Sequence, residues 1–231
     1  MNVLEVEIEK AGYKDRPDVI QEIKFSVRAG ELVGLIGPNG AGKSTTIKAL
    51  LGLLGEMKGN VVMAGKGTYG YIPEHPILFD ELTLWEHLEL AAASMEHPLP
   101  DFQARAEELL ARFRLTEVRH HLPASFSKGM QQKIMLILGF LQKPEVYIVD
   151  EPFIGLDPKA TKDFLEGLKE ERGRGAGVLM STHVLDTAER ICDSFVLLSE
   201  GRLVARGDLE AVRQRCGLPG GSLFDCFHSL L

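Results

Sequence analysis

The spacing of apolar and polar positions changes character twice along the chain. Leu4–Ile8 alternates, Ile20–Val27 alternates loosely, and Glu31–Ile36 closes in an apolar run. A period of two turns one face of each stretch toward a core, so the opening third reads as β-strands. Gly37–Gly42 reads as a turn, and Ile47, Leu50, Leu51 and Leu54 then recur at helical spacing from Lys43 to about Leu53. Short strands are predicted over Val61–Met63 and Tyr69–Ile72, with glycines between them. From Thr83 to Gly139 the apolar residues move to i, i+3, i+4 spacing, as in Leu84, His87, Leu88 and Ala91, then Ala106, Leu109, Leu110 and Phe113. Pro98, Pro100 and Pro123 divide this stretch into separate helices. Beyond it strands and helices alternate. The order is Val146–Val149, a helix from Lys159, Gly177–Met180, a helix from Leu185, Phe195–Leu198, a turn at Glu200-Gly201, and a short helix near Asp208–Arg215.

Such alternation predicts an α/β fold whose mostly parallel sheet carries helices on its faces. The expected organisation is one domain over 1–231, with an α/β core built from 1–82 and 140–231 and a helical lobe, 83–139, inserted into it.

Composition narrows the class. Apolar residues make up 45% and charged ones 26%, an ordinary globular balance. With 26 Lys+Arg against 33 Asp+Glu the formal charge is -7, which argues against a nucleic-acid partner, since phosphate backbones are held by basic faces. Cys192, Cys216 and Cys226 are odd in number and form no C-x-x-C pair, so they read as free thiols in a reducing compartment. Met1–Glu9 lacks the basic start and apolar block of a signal peptide. The apolar run Ile134–Leu141 is far short of the ~20 residues a membrane span requires. The chain is therefore expected to be cytosolic and not to cross a membrane itself.

The chemistry concentrates at strand ends. Gly37-Pro38-Asn39-Gly40-Ala41-Gly42-Lys43-Ser44, followed by Thr45, fits G-x-x-x-x-G-K-[ST], with an apolar strand before it and a helix after it. Glycines at 37, 40 and 42 let successive N–H groups turn toward one anion, and the helix beginning near Lys43 adds its positive end. The motif implies a site for ATP with Mg²⁺, in which Lys43 reaches the β- and γ-phosphates and the Ser44 hydroxyl ligates the metal. A second set follows Val146–Val149. A buried parallel strand delivers its C-terminal residues to the ligand crevice, so Asp150 is placed to hold Mg²⁺, through water, and Glu151 to polarise the attacking water as general base. His183 ends a neighbouring strand, where a donor would stabilise charge developing on the γ-phosphate.

The full order of motifs resembles the ATP-binding subunit of an ABC transporter across essentially the entire chain, and most closely the ATPase of Ecs-type bacterial exporters. Ser127-Lys-Gly-Met-Gln-Gln-Lys133 resembles the family's signature sequence, and Ile154-Gly-Leu-Asp-Pro158 the D-loop, with Asp157 in it. His183 matches the switch histidine, Tyr13 the aromatic that stacks on adenine, and Tyr71-Ile-Pro-Glu74 the Q-loop. The resemblance implies a P-loop NTPase core with an N-terminal antiparallel β part. It implies an ATPase in which two copies, identical or related, associate head to tail. ATP on one copy is then capped by Ser127, Lys128, Gly129 and Met130 of the other, with Ser127 and Gly129 facing the γ-phosphate. It also implies transmembrane permease subunits as partners, which would hold the chain on the inner face of the cell membrane. Two departures stand out. Lys128 and Met130 replace the family's Gly and Gln, and Glu74 replaces Gln. Glu74 is expected to join Ser44 and Asp150 as a metal or water ligand, the alternative being that it swings outward to the membrane partner. Lys128 is expected to face solvent, the alternative being an electrostatic contact to phosphate. The chain ends soon after Phe224-Asp-Cys-Phe-His228, leaving no room for an importer-type regulatory domain, which favours an exporter. A soluble ABC-type ATPase with no role in transport is the competing reading. Such relatives carry paired domains or a long coiled coil, of which the sequence shows neither.

Overall fold

The computed structural model describes residues 1–64, 69–95 and 101–230. Pro98 and Pro100, expected to break helices, lie outside that range. The strands are β1 (Asn2–Tyr13), β2 (Arg16–Arg28), β3 (Leu32–Ile36), β4 (Glu56–Met63), β5 (Tyr69–Ile72), β6 (Val146–Asp150), β7 (Gly177–Thr182), β8 (Ser194–Ser199) and β9 (Arg202–Gly207). They form a single sheet in the order β4-β1-β2-β9-β8-β3-β7-β6-β5. The helices are α1 (Lys43–Leu50), α2 (Leu84–Ala93), α3 (Phe102–Phe113), α4 (Lys128–Leu141), α5 (Pro158–Gly173), α6 (Leu185–Ile191), α7 (Leu209–Cys216) and α8 (Leu223–Ser229).

The two halves of the sheet follow from their burial patterns. β3, β6 and β7 are buried at every position, as strands covered on both faces must be, and they pair in parallel with β5 and β8. β1 and β2 alternate buried with exposed residues and pair antiparallel as a long hairpin, with β4 antiparallel on its outer edge. The fold is thus α/β with a mostly parallel sheet and an N-terminal antiparallel part, as expected. Both hairpin strands run several residues beyond their apolar alternation, because ladder pairing continues from Lys10 opposite Gln21 to Tyr13 opposite Arg16. Conversely α1 stops at Leu50, short of the expected Leu53, and Gly52 follows it with φ 69°. β9 and α8 carry little periodic signal and were not anticipated from the pattern.

Between β5 and β6 the chain is helical. Thr83 caps α2 reciprocally with Glu86 in a capping box. Pro123 begins a single 3₁₀ turn, and Ser127 then caps α4 by accepting the Met130 N–H. Phe113, Phe140, Tyr147 and Phe164 bury their rings together, joining α3, α4, α5 and β6 in one apolar cluster. That cluster lies on the opposite face of the sheet from Val33, Leu35, Ile47 and Ile148, which pack with the hairpin.

Candidate functional site

The C-terminal ends of β3, β6 and β7 lie side by side, with Ile36 beside Thr182 and Asp150 beside Ser181 in the parallel register. The loops leaving these ends surround a cavity of about 610 Å³. Its floor is the Gly37–Ser44 loop. Gly40 and Gly42 have φ of 82° and 103°, the left-handed region that favours glycine, and a Cβ on Gly42 would strike Ile20 at 2.7 Å. Pro38, Asn39, Gly40, Gly42, Lys43, Ser44 and Thr45 line the cavity. Gly37 contributes its carbonyl, and Ala41 is buried against the hairpin with its carbonyl accepting the Gly201 N–H.

Lys43 is only 7% exposed, and its ammonium donates to the carbonyls of Gly37 (2.7 Å) and Pro38 (3.3 Å). The same nitrogen lies 3.8 Å from Glu151 Oε1. Glu151 is also 7% exposed and is held from three directions. Its N–H is shared between the Ser181 hydroxyl (3.1 Å) and carbonyl (3.2 Å), its backbone takes φ 44°, and its Oε1 lies 2.9 Å from His183 Nδ1. A non-glycine residue at positive φ is held there only by its surroundings, and such residues cluster at active sites. His183 therefore meets the Glu151 carboxylate directly, a contact that its position at a strand end did not disclose. The half-exposed ring also faces the cavity.

Asp150 accepts a hydrogen bond from the Ser181 hydroxyl. Burial pushes its carboxyl above the usual range and the Glu74 and Glu151 charges add to this, while Ser181 and Lys43 oppose it. Burial, with Asp150 and Glu74, likewise pushes the Tyr71 hydroxyl up to about 12. Glu74 lines the cavity with Lys43 and Ser44, so it is turned toward the phosphate loop. Ser44, Glu74 and Asp150 offer the hard oxygen donors that Mg²⁺ prefers. No cluster of three or more His, Cys, Asp or Glu side chains suited to a metal occurs among the described residues. Mg²⁺ takes one or two carboxylates and completes its shell with phosphate and water. The residues fit the ion.

Tyr13, at the tip of the β1–β2 hairpin, lines the far end of the cavity with Arg16 and Val19. Its ring is 41% exposed, with the Lys48 ammonium 5.5 Å from its centroid. An exposed aromatic face beside the phosphate floor suits a purine.

Ser127, Lys128, Gly129, Met130 and Asp157 do not line this cavity. They form a second constellation at the N-termini of α4 and α5. A Cβ on Gly129 would come within 2.7 Å of the Gly155 carbonyl, so the two segments touch backbone to backbone. Lys133 donates to Asp157 Oδ2 at 2.9 Å, and Asp157 Oδ1 accepts the Ala160 N–H at 2.7 Å. The Ala160 hydrogen bond and then Lys133 hold the Asp157 carboxyl down at about 2. Ser127 and Lys128 are exposed, whereas Met130 is half-buried against the helical cluster. Sequence reasoning missed Ser181, Arg16 and Lys133. Ser181 becomes visible only once Asp150 has a neighbour in register.

The described residues include no helix long and apolar enough to cross a membrane. Residues 20–154 match the family model described as ABC transporter. YthP of Bacillus subtilis (strain 168), an uncharacterized ABC transporter ATP-binding protein, is 54% identical over 98% of this chain and 96% of its own length. EcsA of the same organism, an ABC-type transporter ATP-binding protein, is 43% identical over 100% of this chain and 97% of its own. A solved structure of the ATP binding subunit of an ABC transporter superimposes with a TM-score of 0.93 at 44% identity, over 99% of both chains.

Proposed function

Since the chain belongs to the ABC transporter ATP-binding family and is an ATPase of that family, we propose that it is the motor of an exporter, working as a head-to-tail dimer on separate membrane subunits. The observation that carries the hydrolytic part is the meeting of Glu151, His183 and Lys43 in one cavity with the phosphate loop. Phosphoryl transfer to water is a matter of positioning and charge, with little covalent work for the protein. Lys43 binds the β- and γ-phosphates, exchanging its Gly37 and Pro38 carbonyl contacts for phosphate oxygens. Glu151 accepts a hydrogen bond from the attacking water and takes its proton. His183 holds the Glu151 carboxylate through Nδ1, which fixes the direction from which water approaches. Tyr13 stacks on the base. Ser44, Glu74 and Asp150 would hold Mg²⁺, which when bound would neutralise charge on the phosphates. The α/β core (1–82 and 140–231) then carries the nucleotide, and the lobe 83–139 carries the cap.

The separation of the two constellations supports the dimer. Within one chain the Ser127–Met130 segment lies outside the nucleotide cavity, while Ser127 is exposed at the N-terminus of a helix of 14 residues whose dipole would favour an anion. Export rests on the likeness of Tyr71–Thr83 and Ser127–Lys133 to Ecs-type exporter ATPases. The permease subunits and the position on the inner membrane face rest on the family.

Subunit complementation tests the arrangement. Lys43→Ala destroys one half of each shared site and Ser127→Arg the other, so each variant alone is expected to be inactive. A mixed head-to-tail pair contains one intact site, so an equimolar mixture should recover about a quarter of wild-type ATPase, given random pairing in a two-fold dimer. Activity of Ser127→Arg alone at the wild-type level, or no recovery on mixing, overturns the shared site.

A further inference from the structure

One buried polar group at the ends of β6 and β7 has no part in the chemistry described above, although it touches two residues that do. Ser181 is wholly buried in β7, after the apolar run Val178–Met180, and stands opposite Asp150 in the parallel register. A hydroxyl shut away from water has to find its hydrogen bonds within the protein. Ser181 finds them on the two neighbouring acids. Its single proton goes to Asp150 Oδ1, and its oxygen accepts the Glu151 N–H at 3.1 Å. Thr182, equally buried, is the contrast on the same strand. Its hydroxyl accepts the Val184 N–H at 3.1 Å and bonds neither acid in the described residues.

Both acids need such a partner. The terminal torsion of an aspartate is soft, so an unpinned carboxylate turns its oxygens freely. The Ser181 hydroxyl fixes Oδ1 of Asp150, and no other side chain hydrogen-bonds that carboxylate among the described residues. Glu151 sits at φ 44°, a conformation that a glutamate keeps only where its surroundings hold it. The N–H that anchors this backbone is divided between the Ser181 hydroxyl and the Ser181 carbonyl, at 3.1 and 3.2 Å. One residue of β7 therefore sets the side chain of Asp150 and the backbone of Glu151 at once.

We propose, on the reading of Asp150 as a metal ligand and Glu151 as the base, that Ser181 is a positioning residue for hydrolysis. Its hydroxyl holds the Asp150 carboxylate and the Glu151 backbone in fixed relation, so that the metal seat and the base face the phosphates together. Hydrogen bonds that orient a metal-binding carboxylate are worth about 10–100-fold in metal affinity or activity. Removing the hydroxyl should therefore weaken metal binding and slow turnover, while the nucleotide contacts of the phosphate loop and Tyr13 stay as they are. In Ser181→Ala the carbonyl of residue 181 still takes the Glu151 N–H, so the variant strands no donor and is expected to fold. A hydroxyl that served folding alone would change stability and leave metal affinity where it was.

The test compares Ser181→Ala and Ser181→Thr with wild type. Electron paramagnetic resonance of Mn²⁺, titrated onto the chain holding a non-hydrolysable ATP analogue, reads metal affinity, and steady-state phosphate release with Mg²⁺ reads turnover. Ser181→Ala should bind Mn²⁺ about tenfold more weakly and turn over about tenfold or more slower, with metal-free affinity for the analogue unchanged. Ser181→Thr restores the hydroxyl on a β-branched side chain suited to a strand, and should recover most of both losses. Wild-type Mn²⁺ affinity in Ser181→Ala overturns the proposal, whatever its turnover. So does a Ser181→Thr variant as impaired as Ser181→Ala when both are as stable to urea as wild type. Asp150→Asn, measured alongside, tells the two levels apart. Weakened Mn²⁺ binding there with normal binding in Ser181→Ala removes Ser181 alone, whereas undiminished binding in Asp150→Asn removes the metal role of Asp150 and the proposal with it.

Discussion

Glu151→Gln separates water activation from nucleotide binding, because the substitution keeps the shape and removes one charge and the basic function. In the structure that carboxylate touches His183 at 2.9 Å and stands 3.8 Å from Lys43. A positioned general base contributes roughly 10²–10⁴ in rate, or about 3–5 kcal/mol of barrier at ~1.36 kcal/mol per tenfold. The effect on binding has the opposite sign. An ion pair at this distance attracts by about 4 kcal/mol at an effective dielectric of ~20, before desolvation is subtracted. Both partners are more than nine-tenths buried, and that desolvation offsets most of the attraction. Releasing Lys43 from Glu151, and removing a negative charge beside the triphosphate, should then favour ATP by a net ~1 kcal/mol, about fivefold in Kd. The assay pairs steady-state phosphate release with equilibrium binding of a fluorescent ATP analogue. We expect turnover to fall at least a hundredfold, ATP to bind at least as tightly, and an ATP-dependent dimer to accumulate on size exclusion. Turnover within tenfold of wild type would remove Glu151 from the role of base. A loss of rate matched by an equal loss of binding would show that the carboxylate holds the loop and does not serve the water.

Other residues give independent tests. His87 is buried, its Nε2 accepting the Phe79 N–H at 2.9 Å, so His87→Leu should cost about 1–3 kcal/mol by stranding that N–H, while the Thr83 carbonyl keeps the residue-87 backbone N–H at 3.0 Å; urea denaturation reads the loss. Gly129→Ala forces a Cβ onto the Gly155 carbonyl, and should lower ATPase about tenfold and stability by about 1–2 kcal/mol while ATP binding to the monomer is unchanged. The Asp157 carboxyl is depressed to about 2 from 3.8, so its contribution to stability is full above 3.8 and is lost as pH falls through about 2. Asp157→Asn should accordingly melt below wild type at pH 6, and the difference should shrink as pH falls from about 4 toward 2 in thermal scans.

What the sequence determined by itself is what depends on neighbours along the chain. Gly37–Ser44 declares a phosphate loop because its glycines, its lysine and the helix start act within eight consecutive residues. Val146–Val149 ending in Asp150-Glu151 is legible because a strand buried on both faces must be apolar throughout. β9, with only the short run Leu203–Ala205 to suggest it, takes its place from pairing with β8, which no local pattern encodes. The tertiary structure alone decided that His183 rests on Glu151, that Ser181 holds Asp150 and the Glu151 N–H, and that Glu74 turns toward the phosphate loop. These contacts cross between β5, β6 and β7 and their loops, and parallel neighbours are joined by crossovers tens of residues long, so spacing in the chain carries no trace of them.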